Sequence, residues 1–217
     1  MVENQTIYEY LLQVYFFLCI LLYNITRGLR MKGDVMIYIF LAPGFEEIEA
    51  IVPRDILKRA NVDVSTVGIE EQIVESTKGL KLVSDITIND ISDENLDGII
   101  LPGGMPGTSN LEKCEKLIDI IKTCAKKNLL IAAICAAPSI LGKLGILSGK
   151  DACCFPDAEI EKYLTGAKIN NKDVNVCENI ITSKGPGTAF QFAFSIVEYL
   201  RGNQVRQNLS AGIQFSK

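Results

Sequence analysis

The residue with the clearest chemical potential in this chain is Cys135. It lies in the segment A-A-I-C-A-A-P, where an apolar run meets the predicted start of a helix. At a helix N-terminus, free backbone amides and the helix dipole stabilise a thiolate and lower the pKa of a cysteine. Most free cysteines in apolar runs are structural, but the small neighbours Ala136 and Ala137 leave room around this sulfur. The pattern therefore predicts a nucleophile at a tight strand-to-helix turn.

The chain contains no histidine, so the proton of Cys135 must go to another group. This excludes the Cys-His pairs of thiol proteases and glutamine amidotransferases and leaves a carboxylate as the candidate base. Three acidic residues, Glu46, Glu47 and Glu49, follow the first apolar run. Acidic residues at a helix start are explained by the dipole, which accounts for Glu46 and Glu47. Glu49 lies one turn further in, where burial would keep its carboxyl protonated beside a thiolate.

A second loop that could take part in chemistry is L-P-G-G-M-P-G, which includes Gly103 and Gly104. Paired glycines remove two Cβ atoms and allow backbone amides to approach a ligand, as an oxyanion hole requires. A plain turn is the alternative. The loop does not follow the G-x-x-x-x-G-K-[ST] pattern, so it is not predicted to hold phosphates.

Composition limits the possible functions. The 217 residues are 48% hydrophobic, which suits one globular domain with a short appendage. Lys and Arg total 22 against 26 Asp and Glu, a net charge of −4, so no nucleic-acid binding is expected. Seven cysteines, an odd number without C-x-x-C spacing, indicate reduced thiols and a cytoplasmic location.

Residues 1–30 differ from the rest and are interpreted as an apolar N-terminal extension to a domain spanning 31–217. Tyr10 to Ile25 is apolar but shorter than the roughly 20 residues of a membrane span, and Gln13 interrupts it. Acidic residues precede it and basic residues follow it, the reverse of a secretory signal. Either the segment is an extension upstream of a functional start at Met31, or it is a membrane anchor. Membrane contact is expected only through residues 1–30.

After Met31, apolar runs alternate with helical patterns, which predicts an α/β fold with a mainly parallel sheet covered on both faces. The predicted strands are Val35 to Leu41, Val62 to Val67, Gly98 to Leu101, Leu129 to Ile134 and Asn179 to Thr182. The predicted helices are Glu46 to Ala60, Asn110 to Lys127, Ala136 to Leu144 and Thr188 to Leu200, with a small β-excursion near Lys78 to Val83. Ligands bind at the carboxyl ends of such strands, where the three loops described above lie.

Cys153 and Cys154 raise the question of a metal site. Adjacent residues on a strand point to opposite faces, so this pair is predicted to lie on a buried strand and to bind no metal.

Four ordered motifs together resemble the ThiJ/PfpI superfamily, in particular its parkinsonism-associated deglycase branch, over Met31 to Gly202. They are G-F-E-E-I-E-A with V-P-R-D-I-L-K-R-A, then L-P-G-G-M-P-G, A-A-I-C-A-A-P and S-K-G-P-G-T-A-F-Q-F-A. The resemblance implies a flavodoxin-like three-layer sandwich, similar to class I glutamine amidotransferases. It also implies a homodimer without metal or organic cofactor.

The resemblance also implies roles for single residues. The nucleophile falls on Cys135 and its protonated partner on Glu49, and the oxyanion amides fall on Gly104 and Ala136. Substrate-binding or anion-binding positions fall on Gly103, on Arg59 acting across the dimer interface and, as a looser match, on Lys78. Phe155 stands where relatives often have a histidine, which puts a third catalytic group in doubt.

The implied activities are glutathione-independent conversion of methylglyoxal to lactate and repair of early glycation adducts, both through a hemithioacetal on Cys135 with Glu49 as acid and base. The alternative is a redox-sensing stress protein or holdase whose Cys135 is oxidised to sulfinate. Proteolysis, ascribed to some relatives, lacks its usual histidine base here.

Overall fold

A computed structural model of the chain describes residues 35–91 and 96–215. The predictions made for residues 1–30 lie outside this part of the chain. Within the described ranges, no helix is long and apolar enough to span a membrane.

A central sheet of seven strands forms the middle layer, in the order β10-β11-β7-β6-β1-β2-β5. Every neighbouring pair is parallel except β10 and β11, so the predicted mainly parallel sheet is confirmed. The strands are β1 (Met36–Leu41), β2 (Asp63–Gly68), β3 (Ile73–Glu75), β4 (Lys81–Val83), β5 (Ile86–Thr87), β6 (Gly98–Leu101), β7 (Leu130–Ile134), β8 (Asp151–Ala152), β9 (Lys168–Ile169), β10 (Val174–Cys177) and β11 (Ile180–Ser183). Strands β3 and β4 form a separate hairpin where the β-excursion was expected, and β8 pairs with β9.

Helices cover both faces of the sheet. They are α1 (Glu47–Arg59), α2 (Gly107–Lys113), α3 (Glu115–Lys127), α4 (Pro138–Lys143), α5 (Ala158–Glu161), α6 (Ala189–Arg201) and α7 (Asn203–Gly212). Because side chains alternate along a strand, β1 contributes to two cores. Phe40 joins a core with Leu117 of α3, whereas Ile39 joins the other core with Leu57 of α1. Burial on both faces explains why the β1 sequence is continuously apolar.

Two predictions about local structure are wrong in detail. The helix expected over Asn110 to Lys127 is two helices, separated at Cys114, whose backbone is extended with ψ 97°. Leu111 and Leu117, six residues apart, would point about 120° apart on one continuous helix. The break allows both to reach the same core.

The strand expected to hold Cys153 and Cys154 ends at Ala152. Cys153 donates its backbone N–H to the Thr182 side-chain hydroxyl at 3.0 Å instead of to a strand carbonyl. Both cysteines are nevertheless buried, as predicted. Strand β10 and helix α7 were not predicted.

Candidate active site

The candidate nucleophile stands at a strained turn directly after β7. Cys135 has φ +63°, a left-handed conformation that is uncommon for residues other than glycine. Its N–H donates to the Ser183 carbonyl at 2.9 Å, and its own carbonyl accepts from the Phe155 N–H at 2.8 Å. These two bonds hold the backbone in the strained conformation. Helix α4 begins three residues later at Pro138, so Cys135 stands at the tight strand-to-helix turn that the sequence predicts.

Two backbone amides reach the sulfur of Cys135. The N–H groups of Gly104 and Ala136 both hydrogen-bond it and lower the pKa of the thiol. Gly104 has φ +89°, and a Cβ there would lie 2.7 Å from both the Glu46 nitrogen and the Gly44 oxygen. Only glycine fits this position without displacing the neighbouring backbone. The structure thus places both predicted oxyanion amides at the sulfur.

Glu49 is completely buried on the first turns of α1. The Glu46 side chain caps this helix by accepting the Glu49 backbone N–H at 2.9 Å. The Glu49 side chain turns inward, where Oε2 accepts the Gly103 N–H at 2.7 Å. Glu47 points elsewhere and accepts hydrogen bonds from Ser76 and from the Lys78 backbone. The three acidic residues therefore divide as predicted, with Glu49 alone facing the thiol.

Gly103 permits the close approach of acid and thiol. A Cβ at this position would lie 2.7 Å from the Cys135 Cβ, 2.8 Å from Glu49 Oε2 and 3.0 Å from the Ala136 nitrogen. Because the Gly103 N–H is taken by Glu49, this residue positions the acid and has no amide hydrogen left for a substrate.

Burial raises the pKa of both reactive groups. The pKa of Glu49 rises to about 7 through burial, against the lowering effects of the Gly103 N–H and of Cys135. The pKa of Cys135 rises to about 12 through burial and through the negative charge of Glu49. The Gly104 and Ala136 amides lower the pKa of the thiol, as expected at a helix N-terminus, but burial and the charge of Glu49 outweigh them.

The two groups therefore behave as one titrating pair. A proton on Glu49 removes the negative charge that opposes a thiolate, so a neutral carboxyl makes ionisation of Cys135 less unfavourable. Glu49 Oε1 is buried and has no hydrogen-bond partner among the described residues. A buried carboxylate oxygen without a donor is unfavourable, which further favours protonation.

Gly185 lies near both Phe155 and Glu49. A Cβ at Gly185 would lie 3.3 Å from Phe155 Cδ2 and 4.0 Å from Glu49 Oε1. The position that relatives often fill with histidine therefore presents a ring with no proton to donate. Sequence reasoning noted Phe155 but missed Gly185, although the S-K-G-P-G motif contains it.

The structure does not bring the predicted basic residues into the Cys135 pocket of the same chain. Arg59 is the last residue of α1, ten residues beyond Glu49 and thus about 15 Å further along the helix axis. It pairs with Asp55 at 2.6 Å. Lys78 is exposed in the turn between β3 and β4, with its backbone N–H 3.2 Å from Glu47 Oε1. Over residues 35–91 and 96–215, no cluster of His, Cys, Asp or Glu could hold a metal.

Comparison with known proteins agrees with this geometry. Residues 35–199 match the DJ-1/PfpI family. The glutathione-independent glyoxalase DJR-1.2 of Caenorhabditis elegans is 39% identical over 166 residues, covering 76% of this chain and 87% of that protein. The crystal structure of Drosophila melanogaster DJ-1beta superposes with a TM-score of 0.80 at 32% identity, covering 85% of this chain and all of that one.

A second solved structure, oxidised DJ-1 of Toxoplasma gondii, also has a TM-score of 0.80, at 30% identity over 85% of this chain and all of that one. Family match and fold lead to the same conclusion. The chain belongs to the DJ-1/PfpI family.

Proposed function

We propose that this protein is a glutathione-independent glyoxalase and deglycase that uses Cys135 as its nucleophile and Glu49 as its acid and base. The observation that carries the proposal is the contact between the buried carboxyl of Glu49 and the half-buried thiol of Cys135. The Gly104 and Ala136 amides also interact with this thiol. The glyoxalase name of the Caenorhabditis elegans relative supports the same reaction class.

The first step joins the enzyme to the aldehyde. The Cys135 thiolate attacks the aldehyde carbon of methylglyoxal, and the C=O electron pair moves to oxygen. Gly104 and Ala136 are placed to donate to that oxygen as their bond to the sulfur weakens. Protonation of the oxygen by Glu49 gives the hemithioacetal.

The second step moves hydrogen between neighbouring carbons. Glu49, now ionised, removes the proton from the former aldehyde carbon and returns it to the adjacent ketone carbon through an enediol. The first carbon is oxidised to a thioester and the second is reduced to an alcohol, so no external oxidant is needed. Water then cleaves the thioester to lactate and regenerates the Cys135 thiol, and the net reaction is methylglyoxal plus water to lactate.

Early glycation adducts present the same carbon skeleton. Methylglyoxal forms hemithioacetals with cysteine and hemiaminals with lysine or arginine, each of which keeps a ketone beside the modified carbon. Attack by Cys135 with departure of the side-chain thiol or amine leads to the same hemithioacetal. We therefore extend the proposal to deglycation, with small dicarbonyls and glycated side chains as substrates.

The test is lactate formation from methylglyoxal by the purified chain in the absence of glutathione, beside Cys135→Ser. We expect turnover by the unoxidised protein and none by the variant. Equal lactate formation by both proteins, or none by either, would overturn the proposal.

A redox sensor is the second candidate, favoured by the relative solved in an oxidised form. Oxidation of Cys135 to sulfinate would give oxygens that the Gly104 and Ala136 amides and a protonated Glu49 can hydrogen-bond. Mass spectrometry after limited peroxide treatment identifies the oxidised residue. A holdase activity that appears only after oxidation, without dicarbonyl turnover before it, would favour the sensor.

We further propose a homodimer in the cytoplasm. Ile48 and Ile51 lie on α1 with 47% and 40% of their surfaces exposed, and Arg59 on the same helix is remote from its own pocket. Such an apolar helix face suits a second copy, which would allow Arg59 to act on the partner's site. Light scattering should give twice the mass of one chain for the wild-type protein. The Ile51→Asp variant should have the mass of a single chain. Cys114, Cys135, Cys153, Cys154 and Cys177 are free thiols, in keeping with a reducing compartment.

A further inference from the structure

Phe155 carries a large apolar side chain on a backbone that adjoins Cys135, yet this side chain is not packed into a core. Its surface is 40% exposed. Its backbone is nonetheless tied to the nucleophile, because the Phe155 N–H donates to the Cys135 carbonyl at 2.8 Å. The preceding Cys154 adds a second tether by donating its thiol to the Phe155 carbonyl at 3.3 Å. An aromatic ring that stands on such a tethered backbone and remains open to solvent can offer its face to a ligand.

The position of Gly185 shows how far the ring is from the acid. A carbon at the Cβ position of Gly185 would lie 3.3 Å and 3.8 Å from Phe155 Cδ2 and Cε2. The same carbon would lie 4.0 Å from Glu49 Oε1. The ring and Glu49 Oε1, which has no hydrogen-bond partner among the described residues, therefore both lie within 4.0 Å of one point beside Gly185.

Gly185 itself is held in place by Thr188. The Thr188 hydroxyl donates to the Gly185 carbonyl at 2.8 Å, and the Gly185 N–H donates back to that hydroxyl at 3.2 Å. Gly185 has φ 166°, an extended conformation open to any residue, so its lack of a side chain is not required by the backbone. Its effect is that no side chain of Gly185 stands between the ring and Glu49.

A phenyl ring can contribute contact area but no proton. Apolar surface gains roughly 25 cal/mol for each Å² removed from water. Aromatic pairs in stacked or edge-to-face geometry add to this. The methyl group of methylglyoxal offers little area for such contact, whereas an aryl substituent on the ketone carbon offers a complete ring face.

We propose that Phe155 is a specificity-determining residue that selects α-oxoaldehydes with an aryl substituent over methylglyoxal. This inference rests on the proposed glyoxalase function and identifies its preferred substrate class. The chemistry is unchanged. For phenylglyoxal, Cys135 attacks the aldehyde carbon, hydrogen moves to the carbon that bears the phenyl group, and water releases mandelate.

The experiment compares kcat/KM for phenylglyoxal with kcat/KM for methylglyoxal in wild type and Phe155→Ala. For each protein we take kcat/KM for phenylglyoxal divided by kcat/KM for methylglyoxal. Comparing this ratio between wild type and variant cancels the different intrinsic reactivities of the two aldehydes. We expect the ratio to fall about tenfold in Phe155→Ala, in line with the loss of one apolar contact in a binding pocket. Phe155→Leu keeps apolar volume without a ring, so its ratio should lie between those of wild type and Phe155→Ala.

Two further variants sharpen the result. Tyr199→Ala removes an aromatic side chain of similar exposure, 44%, near the end of α6, and should leave the ratio unchanged. Gly185→Ala fills the space between ring and acid and should lower the ratio as Phe155→Ala does. An unchanged ratio in both Phe155 variants would overturn the assignment of Phe155 while leaving the glyoxalase function intact.

A binding measurement separates this inference from the proposed function. Calorimetry on the Cys135→Ser protein would compare benzoylformate with pyruvate, an aryl and a methyl oxoacid that need no turnover. We expect benzoylformate to bind about tenfold more tightly and this preference to disappear when Phe155→Ala is added. If the wild-type protein shows no turnover but the Cys135→Ser protein still prefers benzoylformate, only the glyoxalase function is refuted. Equal affinities for the two oxoacids would refute the role of Phe155.

Discussion

Cys135 and Cys154 are two thiols whose pKa rises to about 12, in each case mainly through burial. A neighbouring carboxylate adds to the shift in both, Glu49 for Cys135 and Glu161 for Cys154. The acidity of the resting thiol therefore does not distinguish them.

The surroundings of Cys135 and Cys154 distinguish the two thiols. Cys135 stands at a left-handed turn and receives hydrogen bonds from the Gly104 and Ala136 amides. Its acid, Glu49, has a pKa raised to about 7 and can thus be neutral near physiological pH. Cys154 is 4% exposed and donates its thiol to a carbonyl oxygen, a bond that a thiolate would lose. Reactivity depends here on what can stabilise the charge when it forms.

The strongest test of this comparison replaces each thiol in turn. Cys135→Ser should abolish dicarbonyl turnover, because a hydroxyl is a far weaker nucleophile at neutral pH. Cys154→Ala, the matched control, should retain turnover within a few-fold despite a modest loss of stability. Initial rates with methylglyoxal and melting temperatures provide both readouts. Loss of turnover in the Cys154 variant with an intact fold would remove the distinction between the two sites.

The next largest effect should come from the acid. Glu49→Gln keeps the shape and the acceptor for the Gly103 N–H but cannot move protons, so kcat should fall by roughly 10² to 10⁴. Alkylation by iodoacetamide should still occur, since the variant also lacks the charge that opposes the thiolate. A rate within threefold of wild type would show that Glu49 is not the acid and base.

A smaller effect is expected from crowding the pair. Gly103→Ala would place a Cβ 2.7 Å from the Cys135 Cβ and 2.8 Å from Glu49 Oε2, so thiol and acid must separate. We expect kcat/KM to fall about 10- to 100-fold, as for a misplacement on the order of 1 Å. Gly187→Ala is the control, because its Cβ would meet no atom within 4 Å. Similar losses in both variants would argue against a specific role for Gly103.

The pH dependence of stability tests the raised pKa of Glu49. A carboxyl that titrates at about 7 when folded, against 4.5 as a model value, binds more protons in the native state between these limits. Its contribution to stability is complete below pH 4.5 and is lost as pH rises through about 7. Glu49→Gln should therefore be more stable than wild type at pH 8, on the order of 1 to 3 kcal/mol. Urea unfolding of both proteins at pH 5 and pH 8 measures this, and a pH-independent difference would contradict it.

The smallest effect is expected from removing residues 1–30. Both thiols and all their partners lie between Val35 and Phe215, and the family match begins at residue 35. Melting temperature and turnover of the shortened chain should equal those of the full chain, and its solubility should improve because Tyr10 to Ile25 is apolar. A shortened chain that fails to fold would show that the segment belongs to the domain.

Much of the site was predictable because its signals are local. The missing histidine and the A-A-I-C-A-A-P turn directed attention to Cys135 and to a carboxyl partner. The core strands were predictable because continuous apolar runs indicate burial on both faces of a parallel sheet. The family resemblance also pointed to the Gly104 and Ala136 amides, which the structure brings to the Cys135 sulfur.

The sequence could not show how opposing effects on the pKa of the Cys135 thiol combine in the folded protein. A helix N-terminus predicts a lowered thiol pKa, but burial and the charge of Glu49 outweigh it. Arg59 was expected to act across a dimer interface, and the length of α1 does carry it away from the pocket of its own chain.

The amino-acid sequence by itself determined the chemical groups, the strands and the turn on which the nucleophile stands, since each depends on neighbours a few residues away. Tertiary structure alone decided which groups meet. The order β11-β7-β6-β1 brings the loops after four strands to one edge of the sheet. Gly103 thereby bonds to Glu49, 54 residues earlier. The ring of Phe155 lies beside Gly185 because the segment after β8 is hydrogen-bonded to the Cys135 turn, a contact that sequence positions alone do not reveal.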